Sequence, residues 1–249
     1  MRQRRFFSPA KCWQSDRIIL EGEQIHHVFH VLRLRKGDTA VCFDETGRCA
    51  QTRIFHIDSV SGILEIVSLI PANQSSGARL TLAQAVVKSQ RMDMIIQKTA
   101  ELGVDSLIPF FSQNTVVELG TERQDTKRQR WRKIAVESAK QCGRNTVMEI
   151  GEFASADTLA CGLKSYDLAI LGCPCAKPLD ISGLIASADN VIVIIGPEGG
   201  FTDREISAFT VASNCVPWRF SNTVLRAETA ALSAIAIIQY ALITCRQDV

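Results

Sequence analysis

Val191-Ile192-Val193-Ile194-Ile195 runs directly into Gly196-Pro197-Glu198-Gly199-Gly200, and farther along stands Asn222-Thr223-Val224-Leu225-Arg226-Ala227-Glu228-Thr229-Ala230. The first stretch reads as a fully buried strand that ends in a glycine-rich turn and hands over to a helix. Such a turn leaves backbone N–H groups bare, where a ligand can approach closely. The second stretch also follows a strand pattern, Val216 to Phe220, and opens a helix rich in Ala and Ser. Two strand ends would then present their loops side by side at the carboxyl edge of one sheet, where open α/β sheets bind ligands.

Working outward, residues 78–249 alternate strand and helix patterns. Strands are expected at Leu80 to Val87, Ser106 to Phe110, Leu168 to Leu171, Val191 to Ile195 and Val216 to Phe220. Helices are expected at Met92 to Leu102, Lys127 to Cys142, Asp203 to Ala212 and Glu228 to Leu242. This alternation predicts a mostly parallel sheet covered by helices. Gly103 stands where a left-handed helix cap is expected, and Thr202 with Glu205 forms a capping box after the glycine turn.

The first seventy or so residues read differently. Ala40 to Phe43, Arg53 to Ile57 and Ile63 to Val67 are short strands parted by turn signals at Gly37-Asp38, Glu45-Thr46-Gly47 and Ser61-Gly62, which suggests a small barrel. The polar stretch Pro71 to Gly77 reads as a linker, so the expected domains are 1–72 and 78–249.

Composition narrows the function classes. The chain has 249 residues, 46% hydrophobic, with a formal net charge of +2. No run of eighteen apolar residues free of charge occurs, nor a long apolar run behind Met1-Arg2-Gln3-Arg4-Arg5, so the expectation is a soluble, cytoplasmic protein without membrane attachment. Nine scattered cysteines fit reduced thiols rather than a disulfide scaffold. Residues 122–144 carry eight Lys or Arg against three acidic residues, whereas the chain from 145 onward is acidic. A basic block of that kind is either a solvated helix face or the footprint of a polyanion.

The glycine turn lacks the G-x-G-x-x-G spacing, and no G-x-x-x-x-G-K-[ST] occurs, so ordinary nucleotide-binding readings lose ground. His26, His27 and His30 lack Cys or carboxylate partners at ligand spacing, and no metal is expected. Cys173-Pro174-Cys175 is a C-x-C pair, read as reduced thiol at a strand end. Phe6, Phe7, Phe29 and Phe43 read as core rather than stacking platforms.

Gly196-Pro197-Glu198-Gly199-Gly200-Phe201 and Val224 to Ala230 resemble the cofactor loops of the ribosomal RNA small-subunit methyltransferase E family, within the SPOUT methyltransferases. The resemblance extends over nearly the whole chain. Arg5-Phe6-Phe7, His26-His27-Val28 through Val31-Leu32-Arg33-Leu34, and Lys36-Gly37-Asp38 look like the family's amino-terminal signatures. Ile96 to Val104 is similar to the first helix of its catalytic domain, and Gln141-Cys142-Gly143-Arg144 to the end of a later one. One departure is Phe220-Ser221, where the family usually has Leu-Gly; Thr223 replaces a residue that is often basic. A serine is barred from backbone conformations open to glycine, which limits the shapes of that loop.

The resemblance implies an α/β fold in which a PUA-like β-barrel, an RNA-binding domain, precedes a trefoil-knotted SPOUT domain. It further implies a homodimer and methyl transfer from S-adenosyl-L-methionine to N3 of a uridine in small-subunit (16S) ribosomal RNA, as free RNA or in the 30S particle. The cofactor would be held by Leu171, Gly172, Ile195, Gly196, Pro197, Glu198, Gly199, Gly200, Phe220, Ser221, Asn222, Val224 and Leu225. Negative charge builds on the uracil once its N3 proton leaves. Arg226 is the expected cation for that charge, and Glu228, then Glu198, then water the proton acceptors; Glu228 is equally readable as a helix-capping acid. Arg4, Arg5, Arg33, Arg35, Lys88, Arg91 and Arg144, with the basic helix, are expected to contact phosphates. A non-catalytic RNA-binding assembly protein that kept the fold is the alternative. An enzyme for another adenosyl or phosphate ligand is disfavoured, because the turn from Gly196 to Phe201 has no cation to meet a phosphate.

Overall fold

A computed structural model describes residues 4–31, 33–71, 78–117 and 119–245; the expected linker, from Ala72 to Gly77, lies outside them. The chain divides into two compact units, one formed by 1–74 with 139–147 and the other by 75–138 with 148–249.

In the first unit Arg5–Phe7 (β1), Arg17–Leu20 (β2), Thr39–Phe43 (β3), Cys49–Ile57 (β4) and Gly62–Ile70 (β5) form one sheet in the order β1-β3-β4-β5-β2. All neighbours are antiparallel except β1 on β3. The period of two along each strand places Ile18, Leu20, Ala40, Cys42, Ala50, Ile54 and Leu64 in one core, joined by Phe6, Trp13 and Val28. Val28 comes from a π-type turn that continues the short helix Glu23–His26 (α1). The β3–β4 turn is organised by Asp44, whose fully buried carboxylate accepts from the N–H groups of Thr46 and Arg48 and from the Arg48 guanidinium at 2.7 Å.

Val41, Phe43 and Cys49 form a second small core with Ala139, against which Phe7, Ile70 and Val147 pack. Arg5 completes it. Its guanidinium donates to the Arg144 carbonyl at 2.9 Å and to Asn145 Oδ1 at 2.6 Å, and lies 5.4 Å from the Phe43 ring centre. The segment 139–147, which the sequence pattern assigns to the second domain, is thus built into the first unit. Of the four phenylalanines read as core, Phe6 and Phe43 are buried, whereas Phe7 and Phe29 are half-buried.

The second unit is a parallel sheet of Arg79–Ala85 (β6), Ser106–Phe111 (β7), Glu149–Ile150 (β8), Ala154–Ser155 (β9), Leu168–Gly172 (β10), Asn190–Ile195 (β11) and Cys215–Trp218 (β12). The order is β12-β10-β11-β6-β7-β8, with β9 also on β7. Strands covered on both faces read as unbroken apolar runs, and Val191 to Ile195 in β11 are all buried. Helices Ser89–Glu101 (α2), Thr121–Cys142 (α3), Ala156–Gly162 (α4), Ser182–Ala186 (α5), Asp203–Thr210 (α6) and Ala227–Cys245 (α7) complete it. β12 stops at Trp218 rather than Phe220. It is an edge strand, which tolerates Pro217, and beyond it the Trp218 and Phe220 rings pack together at 4.6 Å.

α7 is long and apolar enough to cross a membrane. Its contacts are those of a core helix: it packs on α2, α5 and β11, burying Ala231, Ala234, Ile235, Ile238, Ala241 and Leu242. It follows the edge strand β12 yet returns to the middle of the sheet.

Gly103 ends α2 with φ +95°, and a Cβ there would lie 2.6 Å from the Gln239 amide nitrogen of α7. Gly103→Ala is therefore expected to cost about 1–2 kcal/mol of stability from backbone strain alone, and more while Gln239 keeps its side chain. Urea unfolding of the single and Gly103→Ala/Gln239→Ala double variants checks this, with part of the loss recovered in the double.

Candidate active site

β10 lies between β12 and β11, with Leu171 level with Ile194 and Gly172 level with Trp218. Three strands therefore end together. The loops after them, starting at Cys173, Gly196 and Arg219, share the carboxyl edge of the sheet and enclose a cavity of about 240 Å³.

Ten of the thirteen residues expected to hold a cofactor line this cavity: Gly172, Ile195, Gly196, Pro197, Glu198, Gly200, Phe220, Ser221, Val224 and Leu225. Leu171 is fully buried one residue behind it, Gly199 packs on Asn114, and Asn222 lines a neighbouring cavity with Trp218 and Ile237. Cys173, Cys175, Trp218 and Arg219, outside the two motifs, line it as well, with Phe201 and Ala230 from the motifs' ends. Gly172 keeps it open. A Cβ there would stand 2.9 Å from Ile195 Cδ1, 3.3 Å from the Ile194 carbonyl and 3.5 Å from the Phe220 ring.

The glycine turn is held from outside. Gly200 has φ +72° and donates to the Pro197 carbonyl at 2.9 Å. The Asn114 amide donates to the carbonyls of Gly199 and Gly200 at 3.2 and 3.1 Å, and Phe201 packs on Phe110 and Phe209. The capping box of α6 is formed, with Thr202 and Glu205 bonded reciprocally. Glu205 also accepts from the Gln113 N–H at 2.8 Å, tying the loop after β7 to the loop after β11. Asn114 and Gln113 follow a strand end on a different part of the chain, so no local pattern marks them.

Among the described residues Arg33 is the non-glycine residue with positive φ, so Ser221 sits in ordinary backbone space. Its hydroxyl accepts from the Thr223 N–H at 3.1 Å and shapes the loop directly. Cys173 is buried and Cys175 exposed, with their sulfurs 2.8 Å apart; burial pushes the Cys173 thiol up.

The charged residues fall into separate groups. Arg226 is exposed immediately before α7, its carbonyl accepting from the Ala230 N–H at 2.8 Å. Glu228 is in the first turn of α7, largely enclosed, 3.8 Å from Arg91 Nε, and its Oε2 is buried without a hydrogen-bond partner. Arg91, from α2, donates to Glu198 at 2.5 Å. One guanidinium thus links the glycine turn to the head of α7. Lys88 is exposed at the start of α2. In the first unit Arg4, Arg33 and Arg35 are exposed, Arg4 lying 3.8 Å from Asp38, whereas Arg5 and Arg144 are half-buried in the contacts that close its second core.

Burial pushes the Glu205 carboxyl up, but hydrogen bonds from Thr202 and Gln113 outweigh it and hold its pKa below the ordinary value. A depressed native pKa stabilises above the unfolded value of about 4.3 and loses that stabilisation as pH falls through the native one. Glu205→Gln is expected to lower unfolding free energy by about 1–2 kcal/mol at pH 7. The deficit should shrink in urea titrations below roughly pH 4.

With this geometry in place, the relatives are informative. Residues 74–239 match the RNA methyltransferase domain family, and residues 20–67 the RNA methyltransferase PUA domain family. A ribosomal RNA small subunit methyltransferase E of Bacillus subtilis is 28% identical over 236 residues, covering 92% of each chain. A Legionella pneumophila methyltransferase solved with bound SAM is 30% identical, with a TM-score of 0.86 over 97% of this chain and 98% of that one. A Neisseria gonorrhoeae ribosomal RNA small subunit methyltransferase E, solved with S-adenosyl methionine, is 26% identical with a TM-score of 0.85, covering 96% and 97%. Motifs, strand order and relatives agree: with a PUA-like unit ahead of a SPOUT-type α/β unit, the chain belongs to the RNA methyltransferases, in the ribosomal RNA small subunit methyltransferase E family.

Proposed function

We propose that this protein transfers a methyl group from S-adenosylmethionine to N3 of a uridine in small-subunit ribosomal RNA, in the cytoplasm. The observation that carries this is the cavity where the loops after β10, β11 and β12 converge, lined by residues of both motifs. Its chemistry suits the donor. Ile195, Phe220, Val224 and Leu225 offer apolar walls for adenine, while Arg219 supplies a positive charge for the methionine carboxylate. The donor supplies an electrophilic methyl on a sulfonium. Transfer breaks the C–S bond, forms an N–C bond and requires the N3 proton to leave, so catalysis is mainly a matter of positioning and of stabilising negative charge on the ring.

Arg226, exposed at the head of α7, is the cation proposed for that charge. Guanidinium stays protonated in proteins and cannot be the base. Residues 1–72, with Arg4, Arg33 and Arg35 exposed, and the basic helix α3 are proposed to hold RNA phosphates. The return of α7 from the edge strand to the middle of the sheet is where the implied knot would lie.

A homodimer is part of this reading. α7 carries no charge from Thr229 to Cys245, yet Ile237, Tyr240 and Ile243 are 40%, 70% and 56% exposed, with Leu184 of the adjoining α5 at 40%. A bare apolar helix face of this kind marks an interface, and a self-complementary patch is the usual basis of a twofold dimer.

Mass spectrometry of ribosomal RNA from cells lacking the protein should show one methyluridine lost, and restored on complementation. Arg226→Ala should keep S-adenosylmethionine affinity by calorimetry while slowing single-turnover methylation roughly 100-fold; an unchanged rate would remove Arg226 from its role. Tyr240→Glu should shift the protein from dimer to monomer in sedimentation equilibrium.

A further inference from the structure

A second cavity, of about 250 Å³, is walled by Val86, Lys88, Arg91, Val116, Val117 and Glu198. Glu198 lines both this cavity and the one under the glycine turn, so the two share a wall. Three valines give flat apolar surfaces, and two cations stand beside them.

The surroundings carry positive charge. Lys127 of α3 donates to Ser89 Oγ at 2.8 Å, and Arg130 pairs with Asp93, which sets the basic face of α3 against the first turn of α2 beside Lys88 and Arg91. A negatively charged backbone passing there can deliver one unstacked base between the valines.

We propose that this second cavity receives the acceptor uracil and that Glu198 takes its N3 proton, with Arg91 as the positioning residue that directs the carboxylate. The inference rests on the methyltransferase reading above. Glu198 touches both chambers, whereas Glu228, the first-ranked proton acceptor on sequence grounds, lines neither and is engaged with Arg91. In the step, the N3–H bond breaks and its proton passes to a Glu198 oxygen. The electron pair left on N3 attacks the methyl carbon, and the C–S pair leaves with sulfur as a neutral thioether. The Glu198 carboxyl then returns its proton to water.

Single-turnover methylation of a small-subunit ribosomal RNA fragment tests this, with S-adenosylmethionine saturating and its affinity read separately by calorimetry. Glu198→Gln should methylate at least about 100-fold more slowly at neutral pH, with the deficit narrowing as pH rises and hydroxide removes the proton instead. Val116 is 75% exposed, so Val116→Trp can fill the slot without disturbing the core. It should leave donor affinity unchanged and raise the RNA concentration for half-maximal rate by roughly tenfold or more. Rates of both variants within about threefold of the parent, with donor bound, would overturn the proposal. Failure of the parent protein to bind S-adenosylmethionine would instead remove the reading on which it rests.

Discussion

Parallel pairing of β12, β10 and β11 in near-level register is the constraint on which the rest depends. Parallel strands deliver their carboxyl ends to one edge. Because Leu171 is level with Ile194 and Gly172 with Trp218, three loops from distant parts of the chain arrive at one height. The cavity thus follows from where the parallel strands end, and the bonds of Gln113 and Asn114 to Glu205, Gly199 and Gly200 hold the glycine turn in place there.

Much of this was legible in the chain. Unbroken apolar runs at Leu168 to Leu171 and Val191 to Ile195 give buried parallel strands, and Thr202 with Glu205 gives a helix start that the structure contains. What escaped was non-local or very short. β8 and β9 have two residues each, too few to show a period, and α4 has seven. Asn114 and Gln113 act on a turn more than eighty residues away through carbonyl and carboxylate bonds that no spacing rule encodes. The lining role of Arg219 and Trp218 depends on where β12 stops, which local propensity fixes only within a residue or two.

Charge was harder to read than apolarity. On sequence grounds Arg5 and Arg91 are equivalent to any surface cation, yet the first is fixed by Arg144, Asn145 and the Phe43 ring, and the second by Glu198 and Glu228. A guanidinium offers five donors in a planar fork, so its partners, not its position in the chain, decide whether it is a fastener or a contact for something outside. Both fasteners draw on residues remote in sequence.

The fastening of Ala139 to Val147 onto the first unit has a consequence for dissecting the protein. Severing the chain at the expected linker would strip the β-sheet fragment of Ala139 and Val147, leaving Phe43 and Cys49 with an unfilled flank and Arg5 without its oxygen partners. The last turn of α3, which carries Ala139, would stay on the other fragment, so the β-sheet fragment expressed alone lacks a complete interior.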